Sequence, residues 1–211
     1  MKIVILGPQG SGKGTQGKLL AENLRIPHIS TGDISREEAK RNTKLGRKIK
    51  SIVEKGNLVP DDIILGLLLK RVKRKECRNG FILDGYPRNK KQLDSIKDKI
   101  KFDVAFWLDV SEKESIKRLI ARRECKKCKA VYNLLIMKPK KAGLCDKCGS
   151  SLVQREDDKP QAIEKRLAIY RKKTRPIFNY FSKKGILVHI NGEQDIDKVF
   201  SDILKELNKR T

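Results

Sequence analysis

The chain predicts an α/β fold, a mainly parallel sheet with helices on both faces. Three observations carry this. Short apolar runs recur along it: Ile3-Val4-Ile5-Leu6, Phe81-Ile82-Leu83, Val104-Ala105-Phe106-Trp107-Leu108 and Ile186-Leu187-Val188-His189-Ile190. Amphipathic helical patterns separate them, and strands covered on both faces read as continuous apolar runs rather than alternating ones. The first run feeds directly into the glycine-rich turn Gly7-Pro8-Gln9-Gly10-Ser11-Gly12-Lys13-Gly14-Thr15, after which a helical pattern begins.

Lys13 to about Leu24 is the first helix, and Ile26-Pro27-His28-Ile29 a brief extended segment in which His28 reads as a packed histidine. Ser30-Thr31-Gly32-Asp33 offers N-cap chemistry ahead of a helix reaching about Arg41. Another helix, near Lys44 to Glu54, ends at Lys55-Gly56. Pro60-Asp61-Asp62 starts the next, with Ile63, Leu67 and Val72 among its apolar positions. Gly80 leads into the Phe81 strand, which ends in Asp84-Gly85-Tyr86-Pro87-Arg88, and a further helix precedes the Val104 strand, where Trp107 reads as core. Ser111 with Glu114 spells a capping box for a helix through about Arg122. Pro160 opens a long helix with Ile163, Leu167 and Tyr170 at helical spacing. The Ile186 strand, with His189 as a second packed histidine, and a C-terminal helix close the chain.

Composition bounds the function. At 211 residues the chain is long enough for one well-cored domain with smaller inserts. Met1-Lys2 precedes only four strongly apolar residues, too few for a signal peptide, and stretches such as Ile63 to Leu69 are too short to span a bilayer. A cytoplasmic protein is expected. The net charge of +24, from 50 Lys and Arg against 26 Asp and Glu, calls for a polyanionic partner. The basic residues are spread along the whole chain beside helical apolar positions, so solvated helix faces account for them better than a nucleic-acid track. Phosphorylated small molecules gain from the same field.

The glycine turn is a phosphate cradle. An apolar strand, a tight glycine turn and a helix start aim backbone N–H groups and a helix N-terminus at one anion. The spacing is that of a P-loop, except that Gly14 follows Lys13 and the hydroxyl, on Thr15, comes one residue late. Ligands of parallel sheets gather beyond the carboxyl ends of the strands, where both this turn and Asp84 to Arg88 sit.

Between about Ala121 and Asp158 helical periodicity disappears. Cys125-x2-Cys128 is followed, sixteen residues on, by Cys145-x2-Cys148, with Gly143 and Gly149 beside the second pair. Each knuckle delivers two thiolates to one side of a tetrahedral ion, and the separation is that of a structural zinc site. Two disulfides, which an intracellular chain disfavours, and a redox pair are the alternatives, and two matched pairs at this separation favour metal over both. Four protein thiolates leave zinc no open position for catalysis. The stretch reads as a zinc-stapled insert of short strands, too small to be stable without its metal. Cys77 is left as a simple thiol.

Over nearly its whole length the sequence resembles the adenylate kinases. The resemblance rests on Gly7-x-x-Gly10-x-Gly12-Lys13-Gly14-Thr15, on Ser30-Thr31-Gly32-Asp33 with Arg36, and on Asp84-Gly85-Tyr86-Pro87-Arg88 with Gln92. It continues through Arg122-Arg123, the four cysteines, and Arg155-x-Asp157-Asp158 with Arg166. The late hydroxyl is normal in that family. The resemblance implies reversible phosphoryl transfer, magnesium-ATP plus AMP giving two ADP. Lys13, Arg88, Arg122, Arg155, Arg166 and Asp84 would be catalytic, with Asp84 orienting magnesium through water. Gly10, Ser11, Gly12, Lys13, Gly14 and Thr15 would hold the ATP phosphates, with Arg118, Arg122, Val131, Tyr132 and Gln194 against the same nucleotide. Thr31, Arg36, Asn57, Leu58, Val59, Gly85, Tyr86, Pro87, Arg88, Gln92, Arg155 and Arg166 would form the AMP site.

On this resemblance the chain divides into a P-loop core (1–29, 60–120 and 159–211), a helical AMP-binding insert (30–59) and a zinc lid (121–158). Both inserts would move, a closure for which adenylate kinases are a well-known example. The family is usually monomeric in this long-lid form. Three other readings compete: a kinase for UMP, CMP or GMP, a nucleic-acid-binding zinc ribbon, and an ATP sensor without turnover. Thr31 and Gln92 favour adenine, and Tyr132 is the only aromatic between the cysteine pairs that could stack a base.

Overall fold

The computed structural model describes residues 1–210. Five strands form one parallel sheet: β1 (Lys2–Leu6), β2 (His28–Ser30), β3 (Phe81–Asp84), β4 (Val104–Asp109) and, after the insert, β8 (Leu187–Asn191). Their order is β2-β3-β1-β4-β8, so the strand carrying the glycine turn lies at the centre. Side chains alternate across it as a strand's period of two demands. Val4 and Leu6 join the larger core, on the side of α3 (Lys44–Glu54), α4 (Asp61–Val72), α5 (Lys90–Ile96) and α8 (Phe178–Lys183). Ile3 and Ile5 face the other way, onto Leu20 of α1 (Lys13–Leu24) and Val199, Ile203 and Leu207 of α9 (Ile196–Asn208). The sheet is therefore parallel and covered on both faces, as the sequence predicts.

Register brings the chemistry to one edge. Ile5 pairs with Asp84, Ser30 with Asp84, and Leu6 with Trp107. The loops after β1, β2, β3 and β4 thus leave the sheet side by side at its carboxyl end.

Several local expectations shift. The helix after Ser30, α2 (Thr31–Ala39), ends two residues before Arg41, and Ser30 Oγ caps it by accepting from the Asp33 N–H at 3.2 Å. On α4 the fully buried positions are Ile64 and Leu68, with Ile63, Leu67 and Val72 at the margins of that face. The helix α6 (Glu112–Ala121) stops before Arg122, which opens the insert's first strand. Its capping box is half made: Ser111 Oγ accepts from the Glu114 N–H at 3.3 Å, but Glu114 turns to Arg118 and Glu193 takes the Ser111 N–H at 2.7 Å. The helix α7 (Pro160–Ile169) continues through a π-helical turn, Tyr170–Thr174. His189 is exposed rather than packed inside, because β8 is an edge strand whose alternate residues face out. It lies against Trp107 and bonds Asp109 at 3.0 Å.

Residues 122–153 form a separate antiparallel sheet of β5 (Arg122–Cys125), β6 (Val131–Asn133) and β7 (Leu152–Val153), in the order β6-β5-β7. Its core is one small cluster of Cys125, Tyr132 and Cys145, backed by Ala130 and Leu152.

Candidate active site

Glycine geometry shapes the loop after β1. A Cβ on Gly7, whose φ is +143°, would lie 2.5 Å from the Leu108 carbonyl oxygen, so only glycine lets the chain pass under β4 here. Gly12 enters α1 at φ +93° and caps it with no side chain, and the first turn of α1 has no acidic residue. By contrast, hydroxyls cap α2, α3 and α6. The N–H groups and positive dipole end of α1 are therefore left open to an anion. Lys13 Nζ bends back over the loop, donating to the carbonyls of Gly7 at 2.9 Å and Pro8 at 2.5 Å. Burial lowers its pKa to about 8; Asp84 opposes this, while the charges of Arg88, Arg166 and Arg122 add to the lowering.

Asp84, buried at the end of β3, faces the same loop; a Cβ on Gly14 would sit 3.7 Å from its Oδ2. Burial alone would raise its pKa, but the facing His28 and the charges of Lys13 and Arg88 hold it below the ordinary carboxylate value. His28 is packed as expected, its Nε2 3.6 Å from the Asp84 carboxylate, beyond hydrogen-bond reach.

A pocket beside the loop is lined by Thr31, Arg36, Asn57, Leu58, Val59, Gly85, Tyr86, Arg88, Gln92 and Arg166. Ten of the twelve residues expected around the monophosphate thus share one cavity; Pro87 and Arg155 lie outside its lining. Gly85, at φ +78°, leaves no room for a Cβ, which would come within 2.9 Å of Thr31 Oγ1 and 2.8 Å of Arg88 Nη2. Thr31 Oγ1 donates to the Gly85 carbonyl at 2.8 Å, and Arg88 Nε does so at 2.6 Å. Burial and the Arg36 charge depress the Arg88 pKa against the pull of Asp84. Arg36 is clasped by Asp33, and this and other carboxylates raise its pKa despite burial. Ser35, Val53, Ile64 and Ile169 also line the pocket. Nothing in their residue types marks them; only the packing of α2, α3, α4 and α7 does.

Arg166 of this lining and two arginines outside it, Arg122 and Arg155, each rest on carboxylates. Arg122 grips Asp158 with Nε at 2.7 Å and Nη2 at 2.5 Å. Arg166 reaches Asp157 Oδ2 at 3.1 Å and Asp158 Oδ1 at 3.2 Å. Arg155 Nε donates to Glu124 at 2.7 Å, and its pKa falls to about 10 through burial and the charges of Arg36 and Arg122, against the opposing pull of Glu124 and Asp157. Glu124 is 9% exposed, and no sequence signal marked it; beside two arginines it reads as an ordinary surface ion pair.

On the opposite side of the loop, Arg118 spans from α6 to the β8–α9 connection, with Nη1 2.8 Å from the Gly192 carbonyl and Nε 2.8 Å from Glu114. A Cβ on Gly192 would lie 3.5 Å from the Ser11 carbonyl oxygen, which places this connection against the glycine turn. Gln194 follows it, donating to Asn191 and Asp202 at 3.0 and 2.9 Å. Val131 is half-buried on β6. The Tyr132 side chain is 6% exposed and lies in the insert's core, because pairing on β5 turns it toward the cysteines.

The four cysteines converge. Their sulfurs all lie within 4.8 Å of one another, with Cys125–Cys148 and Cys128–Cys145 at 3.5 Å. Those separations are too long for disulfides. Four sulfurs placed ~2.3 Å from a tetrahedral zinc stand ~3.8 Å apart, and this cluster fits that ion. Tyr132 Oη accepts from the Asp146 N–H at 2.8 Å, which leaves its own proton for Cys145 Sγ at 3.5 Å. Cys77 is buried on its own, against Arg71.

Residues 5–186 match the family model described as adenylate kinase. The chain belongs to the adenylate kinase family. Proteins named adenylate kinase are similar to it end to end: one from Methanocella arvoryzae is 47% identical, with 99% of each chain covered. One from Kosmotoga olearia is 45% identical over 98% of this chain and 99% of its own. One from Thermodesulfovibrio yellowstonii is 44% identical over the whole of both. As a member of this family the chain is a nucleotide-binding kinase, and the glycine loop and arginine-lined pocket are its candidate active site. Among the described residues, no helix is long and apolar enough to cross a membrane.

Proposed function

We propose that the chain transfers a phosphoryl group reversibly between magnesium-ATP and AMP, giving two ADP, with the residues above in the following roles. The α1 N-terminus and the loop Gly10 to Thr15 hold the ATP phosphates, and Lys13 follows the group in transfer. Arg36 and Arg88 hold the AMP phosphate, Thr31 and Gln92 read its base, and Asn57 to Val59 and Gly85 to Pro87 shape that pocket. Arg155 and Arg166 bridge the two phosphates. Arg118, Arg122, Val131 and Gln194 border ATP, as does the backbone at Tyr132.

One observation carries this reading: Arg88, Arg122 and Arg166 crowd their positive charges around Lys13, between a helix N-terminus and a pocket. So costly a gathering of like charges suits two polyphosphates that must be neutralised and aligned. The acceptor is already an anionic phosphate oxygen, so the chain needs no general base, and none is assigned. Guanidinium forks match phosphate oxygens two at a time, whereas Lys13 acts as a mobile point charge. Magnesium, when bound with ATP, offsets the charge of the β- and γ-phosphates. Asp84, ionised beside the loop, is the residue that would hold it through water.

The cysteine cluster would hold structural zinc, making residues 121–158 a lid that closes as a rigid unit. Residues 30–59 would be the AMP-binding insert and 1–29, 60–120 and 159–211 the core. A monomer is the form that the family resemblance implies. Four unpaired thiols at metal-binding distance suit the reducing cytoplasm.

The test is product analysis with metal-replete protein, magnesium-ATP and AMP, UMP, CMP or GMP in parallel. Rapid ADP formation with AMP alone is expected. Turnover of another monophosphate in its place would overturn the base assignment, and no turnover with any acceptor would overturn the activity.

A further inference from the structure

Gln92 is 2% exposed, and the protein holds both ends of its amide. Oε1 accepts the Arg88 backbone N–H at 2.7 Å, and Nε2 donates to Asp61 Oδ1 at 2.8 Å. Neither partner is ambivalent. A backbone N–H only donates, and an ionised carboxylate only accepts. The amide therefore has one orientation; turning it over would set NH2 against N–H and oxygen against carboxylate. The same Asp61 oxygen accepts from Asn89 Nδ2 at 3.0 Å, which leaves Asn89 Oδ1 to accept the Gln92 N–H at 2.7 Å and cap α5.

We propose that Asp61 is a positioning residue for base selection, fixing the amide of Gln92 so that it reads adenine and rejects guanine. This rests on the reading that Gln92 contacts the acceptor's base. With one Nε2–H and one Oε1 lone pair already used, Gln92 has one donor and one acceptor left for a base. Adenine answers with an acceptor at N1 and a donor at N6. Guanine and hypoxanthine present the reverse, a donor at N1 and an acceptor at O6, and would be read only by the turned amide. Asp61 itself lies outside the pocket lining, so it acts through Gln92 and touches no nucleotide. Asparagine at 61 can donate as readily as accept. It would remove one of the two restraints and leave the Arg88 N–H as the other.

The experiment is calorimetric binding of AMP, GMP, IMP and ATP, each alone, to the full chain and to Asp61→Asn. The expected result is about a tenfold narrowing of the AMP-to-GMP affinity ratio, from weaker AMP and stronger GMP and IMP, with ATP affinity unchanged. Asn89→Ala is the control for simple loss of structure, since it removes the α5 cap but leaves the Asp61–Gln92 bond. If Asn89→Ala lowers the melting temperature as much and narrows the ratio equally, or if Asp61→Asn weakens all three monophosphates alike, the proposal is overturned. Gln92→Ala separates the two levels. If it leaves the ratio untouched, Gln92 does not read the base and the underlying assignment fails, whatever Asp61→Asn does.

Discussion

The cations of the core and those of the inserts are held in opposite ways. Lys13 and Arg88, beyond the ends of β1 and β3, rest on neutral acceptors, the carbonyls of Gly7, Pro8 and Gly85. Arg36, Arg122 and Arg155, in the inserts, are paired with Asp33, Asp158 and Glu124. Arg166, a core residue on α7, is held both ways, by the Asp157 and Asp158 carboxylates and by the Asp157 carbonyl at 2.6 Å. A carbonyl satisfies a donor without cancelling its charge, so Lys13 and Arg88 stay charged in a buried place; burial first, and neighbouring arginines after it, depress their pKa against the pull of Asp84. A carboxylate cancels the charge, which lets several arginines sit together before a nucleotide arrives. Phosphate must then displace it, at a cost set by the charge-assisted hydrogen bonds lost, two for Arg122 on Asp158. The core would attract polyphosphate, and the inserts would exchange partners on it.

The largest effect that follows is at Lys13. Lys13→Met removes the unneutralised charge nearest the loop and should lower kcat by about a thousandfold, the scale of losing a transition-state cation. Steady-state kinetics checks this, and a loss below tenfold would mean that the arginines suffice. Its pKa of about 8 adds a pH signature. Phosphate needs the ammonium form, so ATP affinity should fall as pH rises through 8, and the fall should vanish in Lys13→Met. Stability runs the other way. The folded pKa lies below the 10.5 of an ordinary lysine, so between pH 8 and 10.5 the unfolded chain binds more protons, and this group's contribution to stability rises with pH.

The next effect separates the lid from the core by what holds each together. The core has two large apolar clusters, whereas the lid has two cysteines, one tyrosine and little else. Chelation, or Cys128→Ser, should lower the melting temperature by at least about 5 °C and release hydrogen-exchange protection in β5, β6 and β7. Protection in β1, β3 and β4 should stay. An unchanged melting temperature would show that the lid stands without metal.

What was legible in the sequence follows the same division. The sheet, its glycine turn and the cysteine site could be read because each depends on local periodicity or spacing. Ile3 to Leu6 and Phe81 to Leu83 need both faces covered, whatever covers them, and two C-x2-C knuckles suit a tetrahedral ion in many folds. The chemistry of the arginines came only through family resemblance, since a single arginine in so basic a chain carries no signal of its own. Missed altogether were the residues acting on another side chain. Glu124 and Asp61 gain meaning only when β5 meets Arg155, or α4 meets α5, and no spacing encodes that. For Tyr132 the family motif carries no side-chain direction; its burial against the cysteines follows from the pairing of β6 on β5. His189 was misread for want of knowing that its strand lies at the edge.

Glu124 offers the smallest and sharpest test of the contrast. If the insert carboxylates stand in for phosphate, removing one should favour the nucleotide. Glu124→Gln keeps shape and hydrogen bonding but leaves Arg155 a neutral partner, as Arg88 already has. AMP and ATP should then bind about three- to tenfold more tightly, because less is surrendered when phosphate takes the guanidinium and no carboxylate remains to repel it. Lys129, 3.6 Å from Glu124 Oε1, would otherwise receive the displaced carboxylate. Lys129→Ala should therefore weaken binding in the parent chain and do nothing in Glu124→Gln, a coupling that a double-mutant cycle measures. Weaker binding in Glu124→Gln itself would show that Glu124 positions Arg155 for phosphate instead of competing for it, and the inserts would then be held by the same logic as the core.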